Sequence, residues 1–531
     1  MSSQTPSTTL APMAGVESSW FIMWTFSFLM IWLVLNIIYN LYFHPLAGVP
    51  GPRSWGALRL RYVWALVSGT IVHDFEKLHH RYGPVVRVAP SELSFTTPDA
   101  WTDILQPGRT PPLPKDGRWS IPGLKAQGIV NIADLDLHGR VRRLIAPAFT
   151  TSALRGQEPI LQQYITLLMD RLRDLVTTEQ NGTSGVEIDV VPWFNFVTFD
   201  MLGDLAFGES FDCLHTSRYH SWIELLTNTP KAGAFAAAAL FYPLFASALK
   251  HLIPASLKNK VLDHVRVVSE KVERRLNLES TRSDIMSHVI NQIESDGLEG
   301  LTMDHVNATF MVLTIAGSET VATTLCGIVN YLAQNPSKLS ILTHEIRSHF
   351  SNPHEMTLER LKGMLYLNAV IDEGLRLCPP VPWLPPRVAA NGGSVVCGIP
   401  LPGRTAVSIL TYAMGRDPNN FHDHLSFVPE RYLPEAKTDP QSPFFNDRRQ
   451  SYHPFSFGPR ICIGLHLGMA QMRLILARLV WEFDLKPPTE HRKTQWEKLR
   501  TFILVEKKEI FVNFKLKEGL RTAEMKSSAS S

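Results

Sequence analysis

Cysteine is scarce in this chain, and the little there is does not pair. Cys213, Cys326, Cys378, Cys397 and Cys462 are scattered over 531 positions without one Cys-x-x-Cys. An odd, dispersed set argues against a disulfide framework and a zinc site, and places the bulk of the chain in a reducing compartment. An excess of one charge is also missing. The formal charge is +3, from 52 basic and 49 acidic residues, with no basic block of the kind that makes a nucleic-acid arm. No nucleic acid partner is expected. Internal repeats, long low-complexity linkers and a nucleotide-binding fingerprint are likewise absent. What is present is apolar material: with 45% hydrophobic residues the chain can bury a large core.

One stretch lacks charge altogether. From Ser18 to Phe43 there is no Asp, Glu, Lys or Arg. That is enough for the roughly 20 apolar residues that cross a bilayer and too long for the roughly 7–15 of a signal peptide, and no basic segment precedes it. It reads as a single-pass membrane anchor. Met1 to Gly15 carries no Lys or Arg, whereas Arg53, Arg59 and Arg61 follow the span, so the large C-terminal region belongs in the cytosol. The sequons at Asn181 and Asn307 would then never meet the glycosylation machinery. Three prolines and two glycines in "HPLAGVPGP", His44 to Pro52, form a stiff hinge. The expected division is 1–43 for tail and anchor, 44–517 for the catalytic domain and 518–531 for a polar, disordered tail. Helical patterns with short runs such as "GPVVRVAP", "SVVCGIPL" and "TAVSIL" make the large region a single, mainly α domain with small β-sheets.

Cys462 has an unusual setting, "HPFSFGPRICIGLHLGMA". A helix expected from about Ile463 would turn backbone N–H groups towards its sulfur and favour a thiolate. Gly458 and Gly464 allow tight turns around it. Arg460 can donate charge-assisted hydrogen bonds to a carboxylate. Isolated cysteines are more often small buried hydrophobes, which is the reading for the other four.

The string "FSFGPRICIG" is similar to the haem-thiolate signature Phe-x-x-Gly-x-Arg-x-Cys-x-Gly of the cytochrome P-450 family, at Phe455, Gly458, Arg460, Cys462 and Gly464. The resemblance implies that Cys462 is the axial ligand of the iron of haem b, the only metal ligand from the chain, with Arg460, Phe455 and Gly464 in the cofactor site. A thiolate pushes electron density onto iron and favours O–O cleavage. Further motifs follow in the family's order. Glu373 and Arg376 in "NAVIDEGLRLCPP" resemble its Glu-x-x-Arg. "FVPERY", with Phe427, Pro429, Glu430 and Arg431, resembles the motif whose arginine completes a buried charged cluster behind the haem. A long apolar helix is expected from Thr302 to Asn335–Pro336. Its "AGSET" resembles the oxygen-activation segment, in which Ala316 and Gly317 leave room at the cofactor and Thr320 and Glu319 are the catalytic pair. The family often has Ser or Thr where this chain has Val321. His138 and Arg142 in "LHGRVRRLIAPAF" stand at the spacing of its Trp-x-x-x-Arg, and Arg387 in "PWLPPRV" stands where a propionate-binding arginine is frequent. His466 and Gln471 replace a frequent Asn and Glu.

The resemblance, closest to fungal microsomal members, implies a cytochrome P-450-like fold with an N-terminal transmembrane helix in the endoplasmic reticulum membrane. It implies a monooxygenase acting on a lipophilic small molecule, fed by NADPH through a separate NADPH-cytochrome reductase, with cytochrome b5 as a possible second donor, and tailoring a terpenoid, polyketide or alkaloid. Thr110–Val130, Phe310–Ile315, Val381–Leu384 and Phe502–Leu504 would line the pocket. The uncharged Gly233–Leu249 would be a non-spanning roof resting in the bilayer interface. Two other readings remain, a haem-thiolate isomerase or dehydratase working without O2 and NADPH, and a non-enzymatic haem-binding protein. The Glu319–Thr320 pair speaks against the first and the complete motif set against the second.

Overall fold

The computed structural model of the chain describes residues 14–105, 112–120, 125–179, 185–220, 222–223, 227, 229–252, 255–278, 282–298 and 300–518. The first 13 residues, the sequon at Asn181, parts of the segment 110–130 and the tail from 519 onward lie outside the described residues.

The protein is mainly helical, organised around one long helix, Met303–Gln334. Its start is marked by Thr302, whose N–H donates to His305 Nδ1 at 3.2 Å, and its end by Asn335–Pro336. These bounds match the sequence expectation, because an all-round apolar pattern between a cap and a proline has few other solutions. Its nearest partner is the equally apolar helix Val190–Phe207. Where the two cross, a Cβ on Gly317 would come within 3.0 Å of Leu202 Cδ2, and Ser318 Oγ donates to the Thr198 carbonyl at 3.1 Å. The small and polar residues of "AGSET" thus serve helix packing as well as whatever faces the other way. The helix Leu465–Glu482 begins two residues later than expected, with Gly464 as its cap. It lies against the central helix where a Cβ on Gly468 would sit 3.6 Å from Val321 Cγ2.

Among the described residues there are four small sheets beside this helical body. The largest has the order Val85–Ala89, Glu92–Phe95, Ala406–Ile409, Arg387–Val388, with its second and third strands parallel. The three-stranded sheet sets Phe511–Leu516 between Val186–Asp189 and Phe483–Lys486, tying the C-terminal segment back to the body. "SVVCGIPL" forms the hairpin Ser394–Val396/Ile399–Leu401, and Thr501–Phe502 pairs with Leu504–Val505.

Four residues of the helical body form a fully buried charged knot. Glu373 accepts from Arg376 Nε and Nη2, both at 2.7 Å, and from Arg431 Nε at 3.2 Å, while Arg431 Nη1 reaches Asp447 at 2.7 Å. Five more guanidinium hydrogens go to the carbonyls of Gly415, His424, Ser426, His422 and Asp423. Buried charge is tolerated here because its donors and acceptors are so fully matched.

At the N-terminus, Ala14–Ile38 continues through a π-turn over Tyr39–Phe43. Met23–Phe43 is long and apolar enough to cross a membrane and packs against almost nothing. The central helix passes the same length and composition test but is buried within the protein. The stretch 233–249 is two helices, Thr229–Leu240 and Pro243–Leu252, broken by Phe241 and Tyr242. Pro243 opens the second helix, where its missing N–H is harmless. Leu244 and Phe245 are exposed, whereas Phe241 turns inward.

Candidate active site

The cysteine loop is folded by its backbone. The Cys462 N–H donates to the Phe455 carbonyl at 2.8 Å and the Ile461 N–H to the Gly458 carbonyl at 3.0 Å. Gly458 takes φ 71°, where a side chain would be strained. Gly464 lies in the turn that leads into the next helix, but with φ −84° and ψ 12° it adopts a conformation open to any residue. A Cβ at Gly464 would meet the Cys462 sulfur at 4.0 Å. Cys462 keeps exposed surface, yet burial pushes its thiol up, so it is flanked by protein and open on one side. The Gly464 N–H and the Arg142 guanidinium oppose that rise.

Around this loop the structure gathers cations. Arg142 Nη1 donates to the Ile461 carbonyl at 2.8 Å, one residue from the cysteine. Arg460 bonds the Ile132 and Ala133 carbonyls at 2.6 and 2.9 Å, and its Nε is buried without a partner among the described residues. Arg387 reaches the Leu113 carbonyl at 3.5 Å and lies across an isolated antiparallel bridge from Lys115. Lys115, whose ammonium donates to the Val130 carbonyl, was not singled out from the sequence. A lysine in an irregular loop carries no local signal, and only the bridge to Arg387 reveals it.

These groups depress one another. Burial and Arg460 lower the Arg387 guanidinium to about 9. Burial, then Arg387 and Arg460, hold Lys115 well below its ordinary value. His138 is buried and held at about 3, first by burial and then by Arg460, Lys115, Arg142 and Arg387. It therefore stands neutral at physiological pH. Four cations converge with little opposing charge, the Asp134 carboxylate near Arg460 being the exception. Such a set fits a ligand that brings its own carboxylates. A sulfur open on one side beside a carboxylate-seeking cradle has the donor chemistry that haem requires, so the residues present fit the group.

Thr320 and Glu319 have different surroundings on the central helix. Thr320 Oγ1 donates to the Ala316 carbonyl at 2.6 Å, which leaves its oxygen free to accept. Glu319 is buried and paired with Lys507, whose ammonium also donates to Thr323 Oγ1 at 3.0 Å. Lys507 is a second residue that sequence reasoning missed, since it lies 188 positions from its partner. Glu319 Oε2 is buried without a partner among the described residues. Ala316 and Gly317 are half-buried on the same turn. Phe455 packs on the main core, with a ring carbon 4.0 Å from where a Gly468 Cβ would be.

The family profile described as cytochrome P-450 matches residues 50–514. A cytochrome P-450 monooxygenase of Talaromyces wortmannii, astA, is 38% identical over 489 residues, covering 92% of this chain and 95% of that protein. The trichothecene C-15 hydroxylase of Fusarium sporotrichioides is 37% identical over 473 residues, 89% of this chain and 93% of its own length. The averantin hydroxylase of Dothistroma septosporum is 38% identical over 462 residues, 86% of this chain and 84% of that enzyme. The chain belongs to the cytochrome P-450 family. It is a haem-thiolate monooxygenase.

Proposed function

We propose that this enzyme hydroxylates a lipophilic intermediate of fungal secondary metabolism, as the names of the trichothecene and averantin hydroxylases state for those relatives. The observation that carries the site assignment is the position of Cys462 beside Arg142, Arg460 and the Lys115–Arg387 bridge, a cationic cradle with little opposing charge. Cys462 would hold the iron, and Lys115, Arg387 and Arg460 would hold the carboxylates, with His138 and Arg142 beside them. Bound haem supplies oxygen chemistry in which one atom of O2 enters the substrate, the other leaves as water, and two electrons come from NADPH through a separate reductase. Thr320, with its own proton committed to Ala316, would accept a hydrogen bond and orient a donor over the cofactor. Glu319 would pass protons through its unpartnered Oε2. Ala316 and Gly317 would keep that turn slim.

The exposed apolar helix at Met23–Phe43 supports anchoring in the endoplasmic reticulum membrane, and exposed Leu244 and Phe245 support a roof that touches the same bilayer. The division at residues 43 and 517 belongs to the same reading.

The deciding experiment is the carbon monoxide difference spectrum of the reduced protein. Wild type gives the thiolate signature, and Cys462→Ser loses it because a hydroxyl cannot replace the sulfur. A Cys462→Ser protein with an unchanged spectrum would overturn the assignment.

A further inference from the structure

The bridge between Lys115 and Arg387 is flanked by two backbone bonds, Asp116 N–H to the Pro386 carbonyl at 3.0 Å and Val388 N–H to the Pro114 carbonyl at 2.9 Å. Beyond the bridge the chain turns through a 3-10 helix whose last residue lies four beyond Lys115, and this residue meets the one four before Arg387. Those residues are Trp119 and Trp383, and their rings meet edge to face at 5.1 Å. The bridge that pins the carboxylate cradle thus leads, through this turn, to a second place.

There five aromatic rings close a circuit. Tyr62 meets Phe75 at 5.8 Å, and Phe75 meets Trp383 at 6.2 Å. Trp119 meets Phe241 at 6.5 Å, and Phe241 returns to Tyr62 at 5.4 Å. Phe241 sits on the two-residue break between its helices, and its ring has the guanidiniums of Arg59 at 4.4 Å and Arg118 at 4.7 Å. The circuit looks apolar but is lined with unused polar atoms. Trp119 Nε1, Trp383 Nε1, the Tyr62 hydroxyl, Arg59 Nη2 and Glu92 Oε1 are all buried without a partner among the described residues. Buried Trp and Tyr normally find a partner, and each unpaired group costs about 1–3 kcal/mol. Tyr62 and Glu92 are close enough to interact and could relieve each other with a small shift. Arg59 is already paired with Glu92 through Nη1, and the second oxygen of that carboxylate is an acceptor open to its Nη2, whereas the two indoles are donors only and cannot satisfy each other. What they lack is an acceptor.

We propose that this aromatic box is a recognition subsite for the far end of the substrate, an aryl ring carrying a ketone or carboxylate oxygen that takes the place of the Phe241 ring. The oxygen accepts from Trp119 and Trp383, and the opposite end of the molecule lies towards Cys462. This rests on the monooxygenase reading of the site and narrows its substrates to oxygenated aromatic compounds.

The test compares two probes of nearly the same shape, 2-acetylnaphthalene and 2-isopropenylnaphthalene, which differ in a carbonyl oxygen against a CH2 group. Equilibrium dialysis with the full-length, haem-loaded protein in lipid nanodiscs, corrected by empty nanodiscs, gives both affinities. Wild type prefers the ketone by about fivefold. Trp119→Phe and Trp383→Phe, which remove the indole N–H together with part of the ring, each bring the two affinities towards equality, the lost ring volume acting on both probes alike. Phe241→Ala tightens both probes by vacating the space. Equal affinities in wild type, no binding of either probe, a preference that survives both tryptophan variants, or a Phe241→Ala protein that binds no tighter would each overturn the subsite. Trp119 is only half-buried, so its variant carries the test even where Trp383→Phe does not fold. The carbon monoxide spectrum reports independently on the haem site: its loss in wild type overturns the monooxygenase reading, whereas a normal spectrum with no ketone preference overturns the box alone.

Discussion

Lys507 holds one carboxylate oxygen of Glu319 and leaves the other, Oε2, buried and unpaired. The ammonium is almost wholly enclosed and shares itself with Thr323 at 3.0 Å. Lys507→Met leaves a lone buried carboxylate and should destabilise the protein by about 3–5 kcal/mol, with the double variant Lys507→Met/Glu319→Gln recovering most of that. Urea unfolding of the four proteins of the cycle measures the coupling. Strict additivity would mean that the pair is incidental.

The cradle at Lys115, Arg387 and Arg460 should be a liability before the cofactor binds and an asset afterwards. Replacing Lys115 by Met removes mutual repulsion, so the apoprotein gains on the order of 1 kcal/mol while haem is retained about tenfold more weakly. Melting curves with and without haem, and the rate of haem transfer to an acceptor globin, check the opposite signs. An apoprotein that loses stability would show that Lys115 is ordinary packing.

Where the sequence was legible, it was so because chemistry and period coincided locally. The central helix could be read from its period and "SVVCGIPL" as a strand-like run, which folds as a hairpin, while the cluster joining Glu373, Arg376 and Arg431 was legible only through the family resemblance of its motifs. Lys115 and Lys507 could not, because Arg387 and Glu319 lie 272 and 188 residues away from them and no period links them. The cysteine helix was placed two residues early because an apolar run does not reveal the turns that precede its cap. Phe241 looked like a member of the membrane-facing roof, but the break at Tyr242–Pro243 rotates it inward between two guanidiniums.

Glu373 carries the charged knot, so its removal should be severe. Glu373→Ala strands two buried guanidiniums and should cost about 3–5 kcal/mol, with loss of haem on purification. The exposed pair Arg155–Glu359, at 3.7 Å, offers the contrast, and Glu359→Ala should leave the melting temperature where it was. Similar melting temperatures for the two variants would contradict the matched buried network.

His79 gives the fold a dependence on acid. Its Nδ1 lies 2.9 Å from the Gly83 carbonyl, which can only accept, so Nδ1 bears the proton and Nε2 accepts from Ser94 Oγ at 2.8 Å. Burial lowers its pKa to about 4. The unfolded chain, with a value near 6.5, takes up the proton first, so this contribution is present above about pH 6.5 and is lost as pH falls towards 4. The total is about 3 kcal/mol. His79→Gln should flatten stability against pH in that window, as chemical denaturation at several pH values would read. An unchanged slope would place the acid sensitivity elsewhere.

The pairing of residues 114–116 with 386–388 works as a ruler with fixed and adjustable ends. Lys115 and Arg387 are pinned opposite each other, whereas the distance to Trp119 is set only by the three residues between, Asp116, Gly117 and Arg118. Adding or removing one residue there would move the tryptophan by about 2–3 Å and leave the cationic end untouched. Chain length in this one turn is therefore a dial by which such an enzyme could be fitted to a longer or shorter molecule without disturbing what holds its cofactor.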